Sequence, residues 1–253
     1  MRIAALLVLF AAVASAAPKL LICSDSTTAN YATGSVLQGW GFYIHNYLTI
    51  PVTNLAVNGR STRSFINEGK WASLLAQTSP GDFVLIEMGH NDDGDPKTDT
   101  KNRATLPGIG GDSIVVTTSN GTQETVHSFG WYLREMIADV QAKKAVPVLS
   151  GMVPRNYWTG NTLRKDWPFA DYAKQVAQKA DVAYVDHTTY SVAKWQLMGP
   201  ITAKTYFPQD NTHTNWPGAE INSETFAQAL NCGNYTKDLK QYLNAAVKDL
   251  VCK

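Results

Sequence analysis

The chain has 253 residues, 44% of them hydrophobic and 17% charged, and a net charge of +1. That length suffices for one sizeable core, and nothing in the composition marks a second domain. With no long basic run there is no field to draw in nucleic acid or an anionic membrane, so neither is expected as a partner.

Met1-Arg2, the apolar run Ile3 to Val13 and the small residues Ala14-Ser15-Ala16 read as a secretory signal peptide cut after Ala16. Residues 1–16 are then removed, and 17–253 form a single domain, secreted to the extracellular space and monomeric. The apolar run is too short to span a membrane, and no later stretch reaches the roughly 18 apolar residues a span needs. Of the three cysteines, Cys232 and Cys252 flank a helix-like C-terminal segment and are expected to form a disulfide. Cys23 sits in an apolar strand and reads as a small buried hydrophobe. The sequons at Asn120 and Asn234 agree with export and are expected on the surface.

In chain order, Lys19 to Cys23 is a buried strand that stops at Ser24-Asp25-Ser26-Thr27. Val36 to Leu48 reads as a helix, Val52 to Val57 as a short strand, and Phe65 to Ala76 as one or two helices ended by Ser79-Pro80-Gly81. Asp82 to Met88 is the clearest central strand and runs into Gly89-His90-Asn91-Asp92. From Asp93 to His127 the rhythm breaks: Ile114 to Thr118 and Thr122 to Val126 suggest a hairpin, with Asn120-Gly121 as a type I′ turn. Ser128 caps a helix running to Val140, and Val146 to Met152 is a strand that Pro147 assigns to an early or edge position. Phe169 to Lys179 is helical, Val182 to Val185 a strand, and helices cover Thr189 to Leu197, Pro217 to Leu230 and Lys237 to Leu250. Strands alternating with helices predict a three-layer α/β/α sandwich around a parallel sheet of about five strands.

In such a sheet ligands bind outside the carboxyl ends of the strands, which is where Ser26 stands. The turn Asp210-Asn211-Thr212-His213 brings a carboxylate to an imidazole, the orienting arrangement that a serine nucleophile needs. Gly59 can present an unobstructed backbone N–H, and Asn91 can aim its amide into the same crevice. With the N–H of Ser26 these make a candidate oxyanion hole of neutral donors.

These blocks resemble those of the SGNH, or GDSL, hydrolases, in order and over nearly the whole mature chain. Ser24-Asp25-Ser26-Thr27 is similar to the first block, Gly59 in Asn58-Gly59-Arg60-Ser61 to the second, Gly89-His90-Asn91-Asp92 to the third, and Asp210-Asn211-Thr212-His213 to the last. The resemblance implies a flavodoxin-like sheet, Ser26 as nucleophile, His213 as base, Asp210 as its partner, Ser26, Gly59 and Asn91 as oxyanion donors, and no metal or cofactor. Within that superfamily the likeness is to fungal rhamnogalacturonan acetylesterases, carried by Ala56 to Ser64, Glu87 to Asp92, Tyr184-Val185-Asp186-His187, Tyr206-Phe207-Pro208 and Gly218-Ala219-Glu220. It implies an esterase acting on an acetylated plant cell-wall polysaccharide. One departure stands out: Ser24 replaces the usual glycine, without removing a catalytic group.

Arg60 and Arg63 are candidates to attract uronate groups, and Trp158 and Trp216, with Trp40 and Tyr157, to face sugar rings. Rival readings are an esterase or lipase of the same superfamily acting on another acyl ester, acetylxylan or lipid, and a non-catalytic carbohydrate-binding protein on the same fold. A calcium loop at Asn91 to Asp95 fails on its glycine position and on Asn102 where a glutamate should close it. Glu87 and Asp92 as a glycosidase pair fail because Glu87 lies within a strand, where a satisfied structural carboxylate is expected.

Overall fold

The computed structural model describes residues 17–248 and Cys252; the expected signal peptide and the end of the last expected helix at Leu250 lie outside the described residues. Five parallel strands form the central sheet: β1 (Leu20–Ser24), β2 (Val52–Asn54), β3 (Phe83–Glu87), β4 (Val146–Ser150) and β5 (Ala183–Val185), in the order β2-β1-β3-β4-β5. This is the flavodoxin-like order, which puts a crevice at the carboxyl end of β1, between β1 and β3. In register, Ser24 pairs with Glu87, so both strands end at the same level.

The pleat divides each strand between two cores. Leu21 and Cys23 join Val84, Ile86 and Leu149 under helices α1 (Thr62–Asn67), α2 (Lys70–Ala76), α3 (Phe129–Ala142) and α4 (Pro168–Ala180). Leu20, Ile22, Leu85, Val148 and Val185 face Trp40, Ile44, Phe226 and Leu230 on the other side. There lie α6 (Trp216–Cys232) and two short 3-10 turns, while α5 (His187–Lys204) packs beside α6. Burial on both faces explains why these strands are continuous apolar runs rather than alternating ones.

Several local expectations are corrected. Val36 to Leu48 is not a helix but two 3-10 turns, Trp40–Phe42 and Ile44–Asn46. Its backbone donors are committed elsewhere: Gly39, Trp40 and Gly41 N–H bond the carbonyls of Ala29, Thr27 and Thr28. A Cβ at Gly39 or Gly41 would stand 2.3 and 2.5 Å from neighbouring atoms, so only glycine lets this segment lie against the turn after β1. Pro147 takes the early rather than the edge position: it is the second residue of an interior strand, tolerated because it precedes the pairing of β4 with β5, which begins at Val148. The hairpin Ser113–Thr117 with Gln123–His127 is present, but Asn120 keeps a negative φ and only Gly121 is left-handed, so the turn is not type I′. The last segment is a 3-10 turn, Lys237–Tyr242, and a short helix, Ala245–Lys248, broken where Leu243 bridges to Leu48.

Cys232 and Cys252 form a disulfide, and Cys23 is a free, fully buried thiol. Burial, with Asp92 and Asp25 nearby, pushes that thiol well up, which makes it inert. Asn120 and Asn234 are both exposed.

Candidate active site

The turn after β1 is built by its own short polar side chains. Asp25 Oδ1 accepts from Thr27 N–H and Thr27 Oγ1, both at 2.9 Å, while the Asp25 carbonyl accepts from Thr28 and Ala29 N–H. The chain therefore bends sharply and leaves Ser26 at the apex, with Tyr31 Oη donating to the Ser26 carbonyl at 3.1 Å. Ser24, in the place of the usual glycine, gains a function in the scaffold. Its hydroxyl donates to the Glu87 carbonyl at 2.6 Å and meets Thr28 Oγ1 at 2.7 Å, stapling the turn to the end of β3.

The loop between α5 and α6 brings in the second half. Asp210 Oδ1 accepts from Thr212 N–H (2.6 Å) and His213 N–H (2.8 Å), which curls the loop and orients its other oxygen. That oxygen accepts from His213 Nδ1 at 2.6 Å, and His213 Nε2 lies 2.8 Å from Ser26 Oγ. Burial raises the Asp210 carboxyl, but the bonds from His213 and Thr212 outweigh it and hold it below the usual range. The loop is pinned on both flanks, by Gln38 N–H to the Thr214 carbonyl and by Asn156 N–H to the Asn211 carbonyl. The relay is open to solvent: the His213 and Asp210 side chains are 27% and 45% exposed.

Among the described residues, the backbone N–H groups of Ser26 and Gly59 donate to no other group of the chain. Gly59 is left-handed (φ 74°). Asn91 Nδ2 donates to the Arg60 carbonyl at 3.1 Å and, over a long 3.5 Å, to Asp25 Oδ2. Asn91 Nδ2 thus lies between Asp25, the neighbour of Ser26, and Arg60, the neighbour of Gly59.

Under them lies a buried polar layer. His90 spans Asp25 Oδ2 (3.2 Å, through Nδ1) and the Val153 carbonyl (2.9 Å, through Nε2). Burial raises the Asp25 carboxyl, yet His90 and the Thr27 donations more than offset this and hold it low. Asp92 differs. Its Oδ1 accepts from Thr62 N–H and Oγ1, its Oδ2 has no partner among the described residues, and burial pushes the carboxyl up to about 7 despite those bonds. Between pH 4 and 7 the folded chain therefore holds a proton that the unfolded chain has released, and stability falls as pH rises through that window. Asp92→Asn keeps an acceptor for Thr62, so urea unfolding is expected to show it gaining on the wild type by a few kcal/mol more at pH 8 than at pH 4.

The sugar-contact candidates divide. Arg63 is corrected: it is fully buried, bound to both carboxylate oxygens of Glu124 (2.8 and 2.5 Å) and to the Ala104 carbonyl, and cannot meet a substrate. Arg60 is half-buried and folded back onto Glu68 and the Asn58 carbonyl. Trp40 belongs to the core. Trp158 and Trp216 are half-buried, their indole N–H groups donating to Asn156 Oδ1 and the Ser35 carbonyl. A cavity of about 410 Å³ lies instead beside His90, lined by Asp93, Arg155, Tyr157, Arg164 and Trp167. Arg155 donates to Thr212 Oγ1 and the His90 carbonyl, and Arg164 stacks on Trp167 at 4.5 Å. The run Pro154-Arg155-Asn156-Tyr157-Trp158 after β4 was the sequence signal for it.

A 2-1-3-4-5 parallel sheet with its serine turn on β1 and its Asp–His loop before the last long helix defines the SGNH hydrolase fold. Residues 25–221 match the GDSL-like Lipase/Acylhydrolase family, and the chain belongs to it: it is a carboxylic ester hydrolase. It is 35% identical over 217 residues to a rhamnogalacturonan acetylesterase of Emericella nidulans, covering 85% of this chain and 86% of that one. A Bacillus subtilis protein, YxiM, superposes with a TM-score of 0.67 at 24% identity over 84% of this chain, which spans only 56% of YxiM. The acetylxylan esterase Axe2 of Geobacillus stearothermophilus shares the fold, with a TM-score of 0.58 at 15% identity, over 84% of this chain and 94% of its own.

Proposed function

We propose that this chain is a secreted, monomeric esterase that removes O-acetyl groups from a pectic polysaccharide, rhamnogalacturonan in particular, by acyl transfer through Ser26. The observation that carries the mechanism is the unbroken chain of hydrogen bonds from Ser26 Oγ through His213 to Asp210, at 2.8 and 2.6 Å. Ser26 Oγ attacks the acetyl carbonyl as His213 Nε2 takes its proton, while Asp210 holds the ring and stabilises the imidazolium that forms. Negative charge develops on the carbonyl oxygen against Ser26 N–H, Gly59 N–H and Asn91 Nδ2, each donor contributing roughly 3 kcal/mol to lowering the barrier. His213 then protonates the departing sugar hydroxyl. Water, activated by the same imidazole, releases acetate from Ser26 and restores the enzyme.

The polysaccharide reading is supported by the named relatives, including a probable rhamnogalacturonan acetylesterase of Bacillus subtilis at 29% identity. The exposure of the relay admits a chain passing across it, and the guanidinium groups of Arg155 and Arg164 beside Tyr157 and Trp167 suit an acidic sugar. Export is supported by the leader-like first residues, the Cys232–Cys252 disulfide and the exposed Asn120 and Asn234, which we propose carry glycans. Among the described residues no helix is long and apolar enough to cross a membrane.

Acetate release from acetylated rhamnogalacturonan, homogalacturonan and xylan at equal acetyl content tests the assignment. Rhamnogalacturonan is expected to react fastest. A preference for xylan, or rates on aryl esters that rise with acyl length, would overturn the substrate assignment.

A further inference from the structure

We infer that Arg103 is a positioning residue for the oxyanion site, fixing which end of the Asn91 amide faces the reacting carbonyl and bracing the Gly59 turn beside it. This rests on the acyl-transfer reading above and adds a residue outside its relay and its three donors. Arg103 Nη1 donates to Asn91 Oδ1 at 3.0 Å and to the Gly59 carbonyl at 3.1 Å. One nitrogen thus touches two of the three elements that supply oxyanion donors.

The physical need is specific to an amide. The two ends of an Asn side chain have nearly the same shape, so packing alone does not tell its NH2 from its oxygen; hydrogen-bond partners do. With a cationic donor against Oδ1, the NH2 group must point the other way, where the Arg60 carbonyl takes one hydrogen and the second has only the long 3.5 Å contact to Asp25 Oδ2, which a ligand oxygen can replace. Turned over, Oδ1 would oppose the Arg60 carbonyl and NH2 would oppose the guanidinium, and an acceptor would face the developing oxyanion. Arg103 makes that state costly. The Gly59 turn is fitted to the same group, since a Cβ on Gly59 would stand 3.3 Å from Arg103 Nη1.

Arg60 pairs with Glu68 and Arg63 with Glu124, but among the described residues no carboxylate pairs with Arg103, and its buried Nε has no partner. Its charge is met only through space, by the Asp99 carboxylate that it helps to hold low, so no ion pair draws it away from the place where negative charge develops. The segment that delivers it is itself clasped: Asp99 accepts from the backbone N–H of Lys101 (2.9 Å), Arg103 (2.5 Å) and Ala104 (2.6 Å). That segment lies in the stretch between β3 and α3 whose sequence carries no α/β rhythm.

The test compares Arg103→Met and Arg103→Lys with the wild type on a small aryl acetate, with thermal melts and with inhibition by a boronic acid that forms a tetrahedral adduct on Ser26. Arg103→Met is expected to lower kcat by about 100-fold with KM changed by no more than about threefold, to weaken the boronate in parallel, and to leave Arg103→Lys in between. In an Asn91→Ala background the same change is expected to cost less than about tenfold, because its main route is already gone. A folded Arg103→Met with kcat within threefold of wild type, a loss confined to KM, an unchanged boronate affinity, or a full loss in the Asn91→Ala background each overturns the role. Should Arg103→Met fail to melt cooperatively, Arg103→Lys decides by the same kcat and boronate criteria. A Ser26→Ala variant as active as wild type would remove the acyl-transfer reading and Arg103's role with it; normal dependence on Ser26 with an indifferent Arg103→Met removes the Arg103 role alone.

Discussion

Ser26→Ala is expected to lower kcat for acetyl ester hydrolysis by about 10⁵-fold or more, with KM little changed. In the proposed mechanism the hydroxyl forms the acyl bond, and no neighbour can take its place. Cys23 is buried with its thiol pushed far from ionisation, Ser24 is locked between Thr28 and the Glu87 carbonyl, and Thr27 Oγ1 is spent on Asp25. What remains is the oxyanion site with an imidazole that can activate water, which sets a low residual rate rather than zero. The substitution deletes one hydroxyl from a turn whose backbone is held by Asp25 and Tyr31, so the melting temperature is expected to stay close to wild type. Initial rates on an aryl acetate, with a melt for each variant, check both parts; a loss below tenfold would exclude Ser26 as nucleophile.

The second large effect is on stability. Glu87→Ala is expected to cost about 3–5 kcal/mol or more in urea unfolding, a large share of the ~5–15 kcal/mol by which a domain is stable. Glu87 is 1% exposed, at the end of β3, and its two oxygens accept from Trp40 Nε1 (3.0 Å), Ser150 Oγ (2.7 Å) and His187 Nδ1 (2.9 Å). Removing it leaves the buried Trp40 and His187 donors unpaired and Ser150 Oγ with only its longer bonds to the Gly151 and Val185 carbonyls (3.2 and 3.3 Å), and each unpaired group costs about 1–3 kcal/mol. Trp40 is also stacked on Phe226 at 4.8 Å, so loosening it disturbs the contact between the 3-10 turns and α6. Glu87→Gln keeps an acceptor and is expected to lose less. A Glu87→Ala variant within 1 kcal/mol of wild type would show that water reaches these donors. The same burial removes Glu87 from any chemistry on a polymer, in line with its reading as a structural carboxylate.

How much of this was legible in the sequence differs by residue. Leu20 to Ser24 and Phe83 to Glu87 announce themselves as central strands because a strand buried on both faces must be apolar throughout. The four polar blocks are legible because each follows a strand or precedes a helix, where turn chemistry confines the choice of residues. The segment 36–48 misleads for the opposite reason. Its apolar residues face the core as a helix's would, but its N–H groups are claimed by residues 27–29, and that competition is long-range. Arg63 misleads likewise: beside Arg60 on a loop-like stretch it reads as a surface cation, and only the hairpin carrying Glu124, 61 residues later, draws it inside.

The sequence by itself determined the layer architecture and the cysteine pairing, and it picked out Ser26, Gly59, Asn91, Asp210 and His213 as the candidate site, because each follows from local periodicity, turn preference or motif. Only the tertiary structure decided which cations are free to act. Charge is the same in every arginine; whether it is spent on a carboxylate depends on what distant segments bring beside it. Arg60 and Arg63 meet Glu68 and Glu124, while Arg103 meets the Asn91 and Gly59 oxygens, and that difference exists only in the fold.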